Sequence, residues 1–178
     1  MFGSALGLLA FYGSVGLGLC TVGYEILPYL ARRAIGVAQR FGVADSTAHR
    51  PRLQLIEGDM LEADLTNAGV VLLTSQCWDR QLIRRVHNKL ARELPQDALV
   101  VDYTPALASF QWEPEAPGDG ETPSPGCPCC FVELTNPLDG PIVTAVSWNA
   151  SQRMYVYRKQ KQQAAFLRPS DDSDLPDL

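Results

Sequence analysis

Gly3-Ser4-Ala5-Leu6-Gly7, then Val22-Gly23-Tyr24-Glu25-Ile26, then Glu57-Gly58-Asp59-Met60: these three stretches decide the reading of the fold. A glycine-rich turn opens a helix, an acidic residue closes the next strand, and a Gly-Asp closes the strand after that. A doubly wound α/β sheet presents its ligand contacts in this order, at the carboxyl ends of successive strands. The strand that would carry the glycine turn is reduced to Met1 and Phe2. The first strand is therefore expected to be largely missing, with the chain starting inside the motif. A lost central strand leaves two neighbours with unpaired backbone edges and an open slot in the core.

Outward from these stretches, strands and helices alternate. Residues 5–13 read as a buried helix led by the glycine turn, and 19–26 as a strand. Residues 29–41 read as a helix with Leu30, Ala34, Val37, Ala38 and Phe41 on one face and Arg32, Arg33 and Arg40 on the other. Pro28 suits its first turn. Residues 52–57 and 69–74 read as strands, the second a short apolar run typical of a central parallel strand. The clearest helix is 79–94, with Leu82, Ile83, Val86, Leu90 and Leu94 at helical spacing and Asp79 as its N-cap. A further buried strand follows at 98–103. Alternation of this kind favours a parallel sheet with right-handed crossovers. Residues 142–148 and 153–158 read as a closing β-hairpin joined by Asn149-Ala150-Ser151-Gln152.

Composition bounds the rest. With 178 residues, 46% hydrophobic and 20% charged, the chain suits one domain over about 1–168. A Pro/Gly-rich loop at about 112–128 interrupts it, and an acidic, disordered tail follows at 169–178. The net charge of −5 argues against a domain built to neutralise nucleic-acid phosphates. Five cysteines, Cys20, Cys77, Cys127, Cys129 and Cys130, match neither a secreted disulfide scaffold nor paired zinc knuckles. No metal is expected, and an intracellular, cytoplasmic compartment fits best. Residues 1–24 contain no charged side chain, which raises a membrane span. Glycines at 3, 7, 13, 16, 18 and 23 interrupt the run and no basic flank precedes it, so a buried helix and strand are expected instead.

Taken together, the pattern resembles the class I S-adenosylmethionine-dependent methyltransferases, and within them most closely the Dot1-type lysine methyltransferases. The three opening stretches carry the resemblance, joined by Val146-Ser147-Trp148-Asn149 and Tyr155-Val156-Tyr157, similar to that family's terminal hairpin. The resemblance implies an α/β fold: a Rossmann-like methyltransferase sheet of parallel strands finished by an antiparallel hairpin. It implies S-adenosylmethionine as cofactor and methyl transfer to a protein, with lysine as a candidate acceptor, or to a small-molecule acceptor. By this resemblance Gly3, Ser4 and Gly7 let backbone approach the methionyl part, Glu25 accepts from the ribose hydroxyls, and Asp59 accepts from the adenine amino group. Met60 would pack on the adenine ring, and Thr74, with Ser75 and Gln76, would face the sulfonium. Thr74-Ser75 stand where Dot1-type enzymes carry a pair of asparagines.

Each residue has a plainer reading. Gly3 and Gly7 suit helix packing, Glu25 a solvated strand end, Asp59 a helix N-cap, and Trp78 the core. Trp148, Tyr155 and Tyr157 suit sheet packing. Three ligand-type residues at three successive strand ends favour the cofactor site jointly. No single residue identifies a catalytic base. The alternatives are a truncated, inactive homologue serving as a binding module, and a soluble domain anchored to a membrane by residues 1–24.

Overall fold

The computed structural model describes residues 1–43, 52–109, 131–134, 142–146 and 149–160. The expected Pro/Gly-rich loop, the acidic tail and Trp148 lie outside these residues, as do Cys127, Cys129 and Cys130. After the glycine turn comes a short helix α1 (Leu8–Phe11), which widens into a π-helical turn over Tyr12–Gly16. Strand β1 (Thr21–Glu25), helix α2 (Pro28–Arg40) and strand β2 (Leu53–Glu57) follow. Next are β3 (Val70–Leu73), α3 (Arg80–Glu93), β4 (Leu99–Asp102) and a one-turn helix α4 (Ala106–Ser109). The chain closes with β5 (Phe131–Glu133), β6 (Ile142–Val146) and β7 (Asn149–Lys159).

The sheet comes in two regular pieces. β1 and β2 pair in parallel. β3 and β4 also pair in parallel, and β7 runs antiparallel to β4, β5 and β6. Phe2 sits between the pieces, bridging in parallel to Tyr24 on β1 and to Leu73 on β3. Its amide donates to the Leu72 carbonyl at 2.9 Å, while the Tyr24 amide donates to the Met1 carbonyl at 3.0 Å. The expected slot is thus filled for one residue, and the Phe2 ring is only 1% exposed. It packs in the main apolar core with Leu73, Val86, Leu90, Leu94, Val100 and Tyr157.

Several expectations need correction. The first helix begins after the turn rather than at Ala5, because the chain is left-handed at Gly3, Ala5 and Gly7. The sheet-facing side of α2 is Ala31, Ala34 and Ala38; Val37 and Phe41 are exposed. Small side chains let that helix lie close on β1 and β2, and its larger apolar residues turn outward. There Val37 and Phe41, with Leu8, Tyr12 and Val15, line an apolar groove of about 800 Å³ between α1 and α2. The hairpin turns earlier than expected: Val146 pairs with Asn149, so residues 149–152 belong to β7. β5 was not foreseen, being three residues long and largely exposed. Asp79 caps α3 as expected, its carboxylate accepting from the Leu82 amide at 2.7 Å.

Candidate functional site at the strand ends

The glycine turn lies at the carboxyl ends of β1 and β3, held from both sides. On the β1 flank, the Ser4 amide donates to the Tyr24 carbonyl at 2.9 Å, and the Glu25 carboxylate reaches across to accept from the Ala5 amide at 2.7 Å. The other oxygen of Glu25 accepts from the Leu27 amide at 3.0 Å, tying the same carboxylate to the start of α2. Glu25 is 7% exposed, so it is a buried strand end and not a solvated one. A carboxylate offers about four acceptor positions. Two are taken by amides, which leaves acceptor capacity for hydroxyl donors.

On the β3 flank, the Thr74 hydroxyl lies 3.1 Å from the Phe2 carbonyl and 3.2 Å from the Gly3 carbonyl, donating to this pair. Gly3 is required here twice over. Its φ is +70°, and a Cβ would stand 2.6 Å from the Thr74 hydroxyl oxygen. Gly7, at φ +78°, closes the turn, its amide donating to the Ser4 carbonyl at 2.7 Å. Ser4 is buried, its side chain lying against Gly23. It therefore serves the turn through its backbone groups.

The end of β2 joins β1 through the Gly58 amide, which donates to the Glu25 carbonyl at 3.0 Å. Asp59 follows and caps a short 3₁₀ turn (Met60–Glu62), accepting from the Leu61 amide at 2.9 Å through one oxygen. Its second oxygen adds acceptor capacity at this strand end. Met60 and Trp78 are half-buried against the main core. The site residues expected from the sequence thus fall at the ends of successive strands, and hydrogen bonds of backbone groups, the Glu25 carboxylate and the Thr74 hydroxyl knit Gly3, Ser4, Gly7, Glu25, Gly58 and Thr74 into one rim.

Sequence reasoning named Ser75 and Gln76 beside Thr74 but missed their partners on the far side of that rim, Asp102, Thr104 and Gln152. Ser75 opens a 3₁₀ turn (Ser75–Cys77) and is buried, with its hydroxyl on Asp102 and Thr104. Gln76 donates to Gln152 at 3.1 Å, and Gln152 donates to the Tyr103 carbonyl at 3.1 Å. These links span up to 76 residues of sequence, and no local pattern announces them. Among the described residues, no group of three or more His, Cys, Asp or Glu could hold a metal ion. No helix among them is long and apolar enough to cross a membrane.

No family model matches the chain, and no curated protein matches it. Solved structures do. An RNA methyltransferase from Salinibacter ruber, in complex with S-adenosyl-L-homocysteine, superposes with a TM-score of 0.56 at 19% identity, covering 94% of this chain and 83% of that one. A mutant of MtNAS in complex with S-adenosylmethionine gives 0.55 at 17% identity over 90% of this chain; the chain spans about half the length of that protein, 53%. A third, from work on conversion of a disulfide bond into a thioacetal group during echinomycin biosynthesis, gives 0.55 at 13% identity, covering 91% of this chain and 76% of that one. The parallel strands, the antiparallel β7 and these likenesses agree on one architecture: the chain has the Rossmann-like methyltransferase fold.

Proposed function

We propose that the chain binds S-adenosylmethionine at the rim of its strand ends and transfers the sulfonium methyl to a nucleophile. One observation carries this reading. A left-handed glycine turn is clamped between a buried strand-end carboxylate, Glu25, and a strand-end hydroxyl, Thr74, with Asp59 at the next strand end. Two solved structures of the same fold, at low identity, hold S-adenosylmethionine or its demethylated product, which supports the choice of ligand.

The donor set fits such a ligand. Gly3 and Gly7 leave two positions of the turn without a side chain, so that backbone can approach the methionyl part there. Glu25 has acceptor capacity for ribose hydroxyls, and charge-assisted bonds of that type are worth about 1.5–3 kcal/mol. Asp59 would take the adenine amino group and Met60 the ring. The bound cofactor would supply an electrophilic methyl on a cationic sulfur. The protein's part is to hold, orient and exclude water, with little covalent work of its own. The acceptor we propose is a nucleophile on a protein, a lysine in the Dot1-type reading, or on a small molecule.

A catalytically inactive binding module is the second reading, favoured by the single-residue link between the two pieces of sheet. Calorimetric titration of the chain with S-adenosylmethionine, with Glu25→Gln as control, tests the site. Saturable binding weakened about tenfold or more by Glu25→Gln is the expected result, the scale of one lost charge-assisted bond. A folded chain that does not bind overturns the cofactor reading. Binding without methyl transfer to any protein or small-molecule acceptor favours the inactive module.

A further inference from the structure

Asp102, the last residue of β4, is a buried carboxylate that the proposed cofactor contacts do not use. It is 0% exposed. Its oxygens accept from the Ser75 hydroxyl at 2.7 and 2.8 Å, from the Tyr103 amide at 2.7 Å and from the Thr104 hydroxyl at 3.3 Å. The Ser75 and Thr104 hydroxyls are themselves 2.6 Å apart. Every one of these donors is neutral, and among the described residues no Lys, Arg or His forms an ion pair with Asp102. Neutral donors offset the desolvation of a buried carboxylate only in part. Burial accordingly pushes the Asp102 carboxyl above its ordinary range.

The place of this group in the fold is specific. Ser75 directly follows Thr74, and the Thr74 hydroxyl donates to the carbonyls of Phe2 and Gly3. An unbroken run of bonded groups therefore leads from Asp102 through Ser75 and Thr74 to the glycine turn. It crosses from β4 to β3 to the Phe2 bridge, all at the carboxyl ends of the parallel strands. Glu25 clamps the turn from the opposite flank.

We propose that Asp102, acting through Ser75, is a positioning residue for the cationic end of the ligand, fixing the Thr74–Gln76 turn against the glycine turn and, when ionised, adding negative charge on that side. This rests on the reading of the strand-end rim as an S-adenosylmethionine site. The ionised carboxylate, held by its Ser75, Tyr103 and Thr104 donors, attracts a sulfonium and is indifferent to a neutral thioether. When the carbon–sulfur bond breaks, the methyl leaves with the nucleophile and the sulfur keeps the electron pair, so the attraction ends with the reaction. The device would favour the methyl donor over the demethylated product.

The test is calorimetric titration of the full chain with S-adenosylmethionine and, separately, with S-adenosylhomocysteine. It compares the unmodified chain with Asp102→Asn and Ser75→Ala, the fold being checked by circular dichroism. Asp102→Asn should weaken the sulfonium ligand about tenfold while the thioether changes by less than about twofold, the scale of one charge interaction at a protein's effective dielectric. Ser75→Ala keeps the carboxylate and cuts the link, and should erode the same preference by about threefold. Should Asp102→Asn fail to fold, Ser75→Ala and Thr104→Val carry the measurement. Equal losses for both ligands, or none in folded variants, overturn the role of Asp102 alone. An unmodified chain that binds neither ligand overturns the cofactor reading as well.

Discussion

Replacing Gly3 with alanine probes the turn and its Thr74 clamp together. At φ +70° an L side chain costs about 1–2 kcal/mol of backbone strain. Ala5 already holds φ +48° in the same turn, which points to the lower end. The added Cβ would stand 2.6 Å from the Thr74 hydroxyl oxygen but 4.0 Å from the Thr74 Cβ. The clash is therefore with the hydroxyl alone. Rotating that hydroxyl away forfeits its bond to the Phe2 and Gly3 carbonyls, about 0.5–1.5 kcal/mol net. Gly3→Ala should then cost about 1.5–3.5 kcal/mol in the unmodified chain, and only the backbone strain of about 1–2 kcal/mol in a Thr74→Ala background. Urea unfolding of the four proteins of this cycle, followed by circular dichroism, measures the coupling, expected at about 1 kcal/mol. If Gly3→Ala costs the same in both backgrounds, the hydroxyl does not clamp the turn and the argument fails.

Further outcomes follow from local geometry. Asp79→Ala removes the cap on α3 and should lower stability by about 1 kcal/mol, read as a lower urea midpoint, with S-adenosylmethionine affinity unchanged. His87 is buried edge-on to the Phe131 ring, 5.6 Å between centroids, and burial holds its imidazole below the ordinary 6.5. The unfolded chain therefore takes up that proton first, and stability should fall as pH drops below 6.5 toward the depressed folded value. His87→Leu should flatten the loss in urea midpoints measured between neutral and mildly acidic pH. Asp102 acts with the opposite sign: its carboxyl is raised in the folded chain, so stability from this group is fully present below 3.8 and falls as pH rises to the raised value. Asp102→Asn should remove that slope.

What the sequence disclosed and what it hid follow from the range of the interactions. Glu25 and Gly58-Asp59 were legible because a strand end is a local event, marked by an apolar run stopping at an acid or a glycine. The Asp79 cap was legible for the same reason. The inward face of α2 was misread because hydrophobicity marks Val37 and Phe41 as core. Close helix–sheet packing kept the expected Ala34 and Ala38, added Ala31, and left Val37 and Phe41 outside. Ser75 and Asp102 could not be joined from sequence. They are 27 residues apart and meet because β3 and β4 are neighbours in register. Glu25 was expected to meet a ligand, and the structure adds a task no pattern reveals: its carboxylate already holds the Ala5 and Leu27 amides.

The Phe2 bridge bears on cooperativity. The larger apolar core gathers Phe2 with side chains from β3, α3, β4 and β7, whereas Ala10, Ala38 and Leu53 form a separate small cluster beside α1, α2 and β2. A unit with so little buried apolar surface opens at lower free energy than the body it leans on. Phe2 and the half-buried Tyr24 are what commit β1 and β2 to the larger core. The two clamps of the glycine turn lie on the two pieces of sheet, Glu25 at the end of β1 and Thr74 just after β3. A ligand spanning them would act as a staple, raising the protection of the weaker unit toward that of the stronger, so that binding and the docking of β1, α2 and β2 become one event.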